Sequence, residues 1–157
     1  MRRPRALLGL AVAALLACAP SPRAFAHTRS LSYSTWRLDA AGADVRSRIS
    51  RLDLTRLGLD PLASPDDAER AAQLLSNSLR LTAGDAACAP RALPALLPAP
   101  EGWLVFAWRV SCESSGPLAL ATSLLLDVAA SHLHFARIEA RDGRVLDLVL
   151  SEAVPRA

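Results

Sequence analysis

Apolar and polar residues alternate with a period of two over much of this chain, which is typical of β-strands that bury one face. Residues 30–39 (SLSYSTWRLD) and 45–54 (VRSRISRLDL) show this alternation on either side of a glycine-containing turn, so they predict a β-hairpin. Residues 132–140 and 144–150 flank an Asp-Gly turn and predict a second hairpin. Further strands are predicted in WLVFAWRVSC and in PLALATSLLLDVA, the latter with a buried run at 124–126.

One segment has helical periodicity instead. Ser64 is suited to the N-cap, Pro65 to the first helical position, and two acidic residues follow in the first turn, so we predict a helix at about residues 65–79. A connector with four prolines between Pro90 and Pro100 predicts irregular structure. About seven strands and one helix predict a mainly β fold, an immunoglobulin-like β-sandwich that forms a single domain over residues 27–157.

The N-terminus has the order of a secretory signal peptide. A basic start (MRRPR) precedes 12 uncharged residues, and an Ala-x-Ala signature ends at Ala26, so we predict a leader over residues 1–26 and a mature chain from His27. Two alternatives are lipidation at Cys18, which lies in a lipobox-like LLAC, and an uncleaved leader that acts as an anchor. All three predict a periplasmic or secreted domain, and the mature chain has no apolar run long enough for a membrane span.

Charge and cysteine content fit export. The chain has 18 arginines, no lysine and 15 acidic residues, but the leader contains four of the arginines, so the mature chain has 14 against 15. Net charge therefore gives no reason to expect nucleic-acid binding. Without Cys18 two cysteines remain, and Cys88 and Cys112 are predicted to form a structural disulfide in an oxidising compartment.

Several segments together resemble the extracytoplasmic N-terminal region of HupE/UreJ-type membrane proteins, the hydrogenase and urease accessory family of nickel permeases. They are AHTRSLSYSTWRLD, LDLTRLGLD, EGWLVFAWRVSC, LLLDVAASHLHFARI and GRVLDLVLSEA. The resemblance implies a non-catalytic accessory or interaction domain whose partner is such a membrane protein. The family's transmembrane helices, which contain its metal-transport motif, have no counterpart here, so transport is not carried over. The chain is expected to be either a free-standing exported version or one whose membrane half is separate or lost.

Two of the three histidines suggest a metal site as an alternative function. His132 and His134 are two residues apart on a predicted strand, so they share a face. His27 would add an imidazole and a free α-amine after cleavage, and such a nitrogen-rich set suits nickel, copper or zinc. Asp127 and Glu139 are possible oxygen ligands. The simpler interpretation is a hydrogen-bond network or a polar strand face.

Other functional classes have little support in the sequence. It contains no nucleophile elbow, no zinc-protease motif, no phosphate loop and no Cys-x-x-Cys, so no catalytic site is predicted. The aromatic residues are expected to pack in the core rather than to bind a ligand. These are Trp36, Trp103, Phe106, Trp108 and Phe135. The arginines at positions 46, 48, 51 and 56 are expected to face solvent.

Overall fold

The computed structural model describes residues 30–157, which form ten strands and two helices arranged in two β-sheets. The elements in chain order are β1 (Leu31–Leu38), β2 (Gly42–Ser50), α1 (Arg51–Arg56), α2 (Pro65–Ser78), β3 (Leu79–Ala83), β4 (Ala86–Ala87), β5 (Ala89–Pro90), β6 (Ala95–Leu97), β7 (Trp103–Ser111), β8 (Leu118–Thr122), β9 (Leu133–Glu139) and β10 (Val145–Leu150). The predicted mainly β fold class is confirmed. The predicted leader, its cleavage after Ala26 and the alternative lipidation of Cys18 lie outside the described residues.

The larger sheet has seven strands in the order β10-β9-β1-β2-β7-β5, with β6 also beside β7. Both predicted hairpins are confirmed as antiparallel pairs, β1 with β2 and β9 with β10. The central contact between them is parallel, because β9 lies alongside β1 in the same direction. The smaller sheet has the order β4-β3-β8. Two stacked sheets are consistent with a β-sandwich, whereas the immunoglobulin-like topology stays a prediction.

The core lies between the inner face of the larger sheet and the layer formed by the smaller sheet and α2. Apolar side chains from both sheets and from the helix form one buried cluster, which is the arrangement expected of packed layers. Its largest members include Trp36, Ile49, Leu75, Leu79, Leu104, Phe106, Leu120 and Leu150. The predicted disulfide is confirmed, and Cys88 and Cys112 join the β4–β5 link to the end of β7.

The helix prediction is confirmed for α2, and one further helix was not predicted. Ser64 accepts a hydrogen bond from the Asp67 backbone N–H, and Pro65 begins the helix, as the sequence indicated. The predicted continuation of β2 to residue 54 is wrong, because the strand ends at Ser50 and α1 follows it. In α1 the consecutive residues Asp53 and Leu54 are both buried, which a two-residue alternation does not produce.

Two other segments differ from prediction. The proline-rich connector is not wholly irregular, because β5 and β6 within it pair with β7. These strands have only two and three residues, as the spacing of the prolines permits. The strand predicted after Pro117 ends at Thr122, whose hydroxyl accepts a hydrogen bond from the Leu124 N–H as the chain turns. Of the run predicted to be buried at 124–126, Leu124 and Leu125 are buried and Leu126 is half-buried, and all three lie in a turn rather than a strand.

Neither helix in residues 30–157 is long and apolar enough to cross a membrane.

Candidate functional site

His132 and His134 lie on the inner side of the larger sheet, and both are fully buried. His134 is in β9, and His132 immediately precedes that strand. Because β9 is parallel to β1, the register places His134 beside Ser32. The two imidazoles therefore share one side of the sheet, as their spacing predicted.

Three serine hydroxyls, from Ser30 just before β1 and from Ser32 and Ser34 within it, link the two rings into a continuous chain of hydrogen bonds, here called the serine–histidine ladder. The distances from His132 are 2.7 Å from Nδ1 to Ser30 Oγ and 2.8 Å from Nε2 to Ser32 Oγ. In His134, Nδ1 is 2.7 Å from Ser32 Oγ and Nε2 is 2.7 Å from Ser34 Oγ. Every ring nitrogen of both histidines thus has a serine partner.

The indole of Trp36 sets the direction of this ladder. Its Nε1 can only donate, and it donates to Ser34 Oγ at 2.8 Å. The only acceptor that the described residues offer to the Ser34 hydroxyl is then Nε2 of His134. A neutral His134 must therefore have its proton on Nδ1 and donate to Ser32, which donates in turn to Nε2 of His132. We infer that both rings are neutral Nδ1–H tautomers and that the ladder ends with donation to Ser30.

The electrostatic environment agrees with neutral rings. Burial, and to a smaller extent the neighbouring His132, together lower the pKa of His134 to about 3. Burial also lowers the pKa of His132, although the nearby Asp53 carboxylate opposes that shift. Desolvation disfavours the charged imidazolium, so the ladder binds no extra proton near neutral pH.

A metal ion would need an unprotonated ring nitrogen, and in the ladder that nitrogen, Nε2 of each histidine, already accepts a hydrogen bond from a serine hydroxyl. The ladder is therefore unfavourable for metal binding. Glu139 lies on the opposite face of β9, with its carboxylate 2.9 Å from Arg37 Nε, and Asp127 is exposed before the strand. His27 lies outside the described residues. Within residues 30–157 no group of three or more His, Cys, Asp or Glu side chains is placed to hold a metal ion. The nickel or copper site with His27, His132 and His134 stays a prediction.

The outer face of the larger sheet presents a different feature, here called the aromatic–arginine cluster and formed by Tyr33, Arg48, Trp103 and Phe135. Tyr33 stacks on Phe135 with ring centroids 5.4 Å apart and contacts Trp103 edge-on at 5.8 Å. The Arg48 guanidinium carbon lies 4.1 Å from the Trp103 ring centroid and 4.9 Å from that of Tyr33. The stack leaves the N–H edge of the guanidinium accessible, since Arg48 is an exposed residue.

Two shallow depressions flank β1 at this cluster. One, of about 410 Å³, is lined by Tyr33, Thr35, Arg46, Arg48 and Val105 among others. The other, of about 330 Å³, lies toward β9 and β10 and shares Tyr33 and Thr35. Together they make this part of the outer face uneven rather than flat.

The sequence placed only some of the aromatic residues correctly. Trp36, Phe106 and Trp108 are buried in the core as predicted. The core prediction is wrong for Trp103 and Phe135, which are half-buried on the outer face. The reason is strand alternation: Trp103 shares a face with Val105, whereas Leu104 and Phe106 point inward.

The serines of the ladder were the residues that sequence reasoning missed. Ser30, Ser32 and Ser34 repeat every second residue, as do His132 and His134. The matching two-residue periods are a detectable signal, but neither segment alone specifies that it pairs with the other, which is about 100 residues away.

Comparison with protein-family models gives no match, and a search of curated proteins finds no significant relative. The resemblance to HupE/UreJ-type proteins therefore stays a prediction from the sequence.

Proposed function

We propose that this protein is an exported, non-catalytic interaction domain that binds a HupE/UreJ-type membrane protein through the outer face of its larger sheet. The aromatic–arginine cluster is the observation that carries the proposal. Tyrosine, tryptophan and arginine are the residues most enriched at the energetic centres of protein interfaces. Here they form a pre-arranged group in which Arg48 is exposed and the three aromatic side chains are half-buried.

The charges around the cluster support the same surface. Three arginines of this face already have acidic partners: Arg37 with Glu139, Arg109 with Asp44, and Arg137 with Asp147. No ion pair within residues 30–157 involves Arg46 or Arg48. A partner that offers a carboxylate beside an apolar group would therefore complement this part of the sheet.

The buried histidines contribute to the fold of such a domain rather than to chemistry. Their nitrogens are bonded to serines in the interior, which supports a structural role. The disulfide is compatible with an oxidising compartment and with the proposed export. Metal capture through His27, His132 and His134 is the alternative, and no specific contact in the described residues favours it.

Site-specific photocrosslinking in cells that produce the HupE/UreJ-type membrane protein would test the proposal. A photoreactive amino acid at Thr35 lies between the two depressions, whereas one at Gln73 lies on the exposed side of α2 and serves as the control. We expect a crosslinked product of the membrane protein from position 35 only. Arg48→Glu should remove it, and the matched Arg80→Glu on the smaller sheet should not.

Equal products from both positions, or none from position 35, would contradict the proposed surface. A titration of Ni(II), Cu(II) and Zn(II) into the protein tests the alternative separately. Stoichiometric binding that is lost in the His132→Ala, His134→Ala double variant would favour metal capture.

A further inference from the structure

Strand β10 forms one edge of the larger sheet and is unusually apolar for an edge. Only β9 pairs with it among the described strands. Five of its six residues are apolar, and Val145, Leu146 and Val149 are each about half exposed, at 47%, 57% and 52%. Edge strands of monomeric proteins are normally protected by lysine, proline, bulges or very short length.

The opposite edge of the same sheet has this protection. There β5 and β6 contain two and three residues, and prolines interrupt and flank them. Proline has no backbone N–H and so cannot support pairing with another strand. The contrast within one sheet indicates that the exposed edge at β10 has a partner.

The hydrogen-bond alternation of the β9–β10 hairpin shows which backbone groups point outward. The Ala140 N–H donates to the Arg144 carbonyl at 2.8 Å, which makes residues 140 and 144 a hydrogen-bonded pair. Hydrogen-bonded pairs recur at every second residue, so the N–H and C=O groups of the even-numbered residues of β10 point toward β9. The N–H and C=O groups of Val145, Asp147 and Val149 therefore point toward the free edge.

The sequence of this edge is a palindrome. Residues 145–149 read V-L-D-L-V, centred on Asp147. We propose that β10 pairs antiparallel with β10 of a second copy of this chain, about a twofold axis at Asp147. Val145 then lies opposite Val149 of the other copy, Leu146 lies opposite its Leu148, and the outward backbone groups form about six hydrogen bonds.

The pairing keeps the two faces of the sheet in register. Opposed residues in this arrangement have numbers of the same parity, so outer-face side chains meet outer-face side chains. The two Asp147 carboxylates come side by side at the axis, and each has Arg137 of its own chain 3.7 Å away. An Arg–Asp–Asp–Arg row thus crosses the interface with balanced charge. Both aromatic–arginine clusters then face the same side of one continuous sheet.

Sedimentation equilibrium of the purified protein tests the proposal, since it predicts a reversible monomer–dimer equilibrium. Val149→Lys should weaken the dimer, whereas the matched Leu93→Lys, at an exposed apolar position on the connector, should not. In the proposed register, positions 145 and 149 of the two copies oppose each other. Val145→Lys with Val149→Lys should therefore weaken the dimer more than Val149→Lys alone, and Val145→Asp with Val149→Lys should associate about tenfold more tightly than that like-charged variant.

A protein that is monomeric at every concentration would overturn the proposal. So would a dimer that is indifferent to the β10 substitutions, or one in which the two double variants behave alike. Circular dichroism of each variant checks that the substitutions, which are at exposed positions, leave the fold intact.

Discussion

Replacing Ser32 by alanine should destabilise the protein far more than the loss of one surface hydroxyl would. Ser32 Oγ is the shared partner of Nε2 of His132 and Nδ1 of His134. The substitution leaves both of these fully buried nitrogens without a hydrogen bond. A buried polar group without a partner costs about 1–3 kcal/mol, so we expect a loss of about 3 kcal/mol in the free energy of unfolding. For a domain of this size that is a large part of a total of about 5–15 kcal/mol.

Guanidinium unfolding followed by tryptophan fluorescence measures this loss, because Trp36 and Trp108 lie in the core. Ser131→Ala is the matched control: Ser131 adjoins His132 in the chain but is exposed, so its replacement should change the stability by less than about 0.5 kcal/mol. A Ser32→Ala variant as stable as this control would refute the assignment of the ladder as a satisfied, energetically coupled network.

Three other outcomes follow from the same structure. Burial lowers the pKa of His134 from about 6.5 to about 3 in the folded state, so between these pH values the unfolded chain binds a proton at His134 that the folded chain does not. The contribution of His134 to stability is therefore complete above about pH 6.5 and falls by about 1.4 kcal/mol per pH unit below it. Denaturation curves from pH 7 to about pH 4.5 should show this slope, and His134→Gln should make it shallower. Reduction of the Cys88–Cys112 disulfide should lower the unfolding free energy by about 3 kcal/mol, measured against a Cys88→Ser, Cys112→Ser variant that should not respond to reductant. Gly42→Ala should lower the free energy of unfolding, measured by thermal unfolding, by more than about 3 kcal/mol, because the added Cβ would lie 2.0 Å from the Val110 carbonyl oxygen. Gly58→Ala, where the added Cβ has open space around it, should lower it by less.

The sequence was informative where the structural cause is local. The Asp-Gly turn specified the β9–β10 hairpin, and Ser64 and Pro65 specified where α2 begins, because caps and turns depend on a few neighbouring residues. The boundary between β2 and α1 was not predictable in this way. Leu52 and Leu54 continue a two-residue alternation, yet the chain turns into a helix after Ser50.

Pairing between distant segments was the information that the sequence could not supply. The spacing of His132 and His134 correctly placed both rings on one face, but their partners are about 100 residues away in β1. The same limit applies to the outer face. Tyr33 and Phe135 are neighbours only because β1 and β9 are adjacent and parallel, which no local pattern specifies.

The two faces of β1 depend on each other through this register. On the inner face, Ser32 must lie between the two histidines for all four ring nitrogens to be satisfied. A shift of β9 by one residue would turn the imidazoles outward and leave the buried serine hydroxyls without their hydrogen-bond partners, so the ladder strongly favours one register over its neighbours. That register also places Tyr33 opposite Phe135 on the outer face. The buried ladder therefore contributes to the proposed binding surface without contacting it, because it fixes which aromatic side chains meet there.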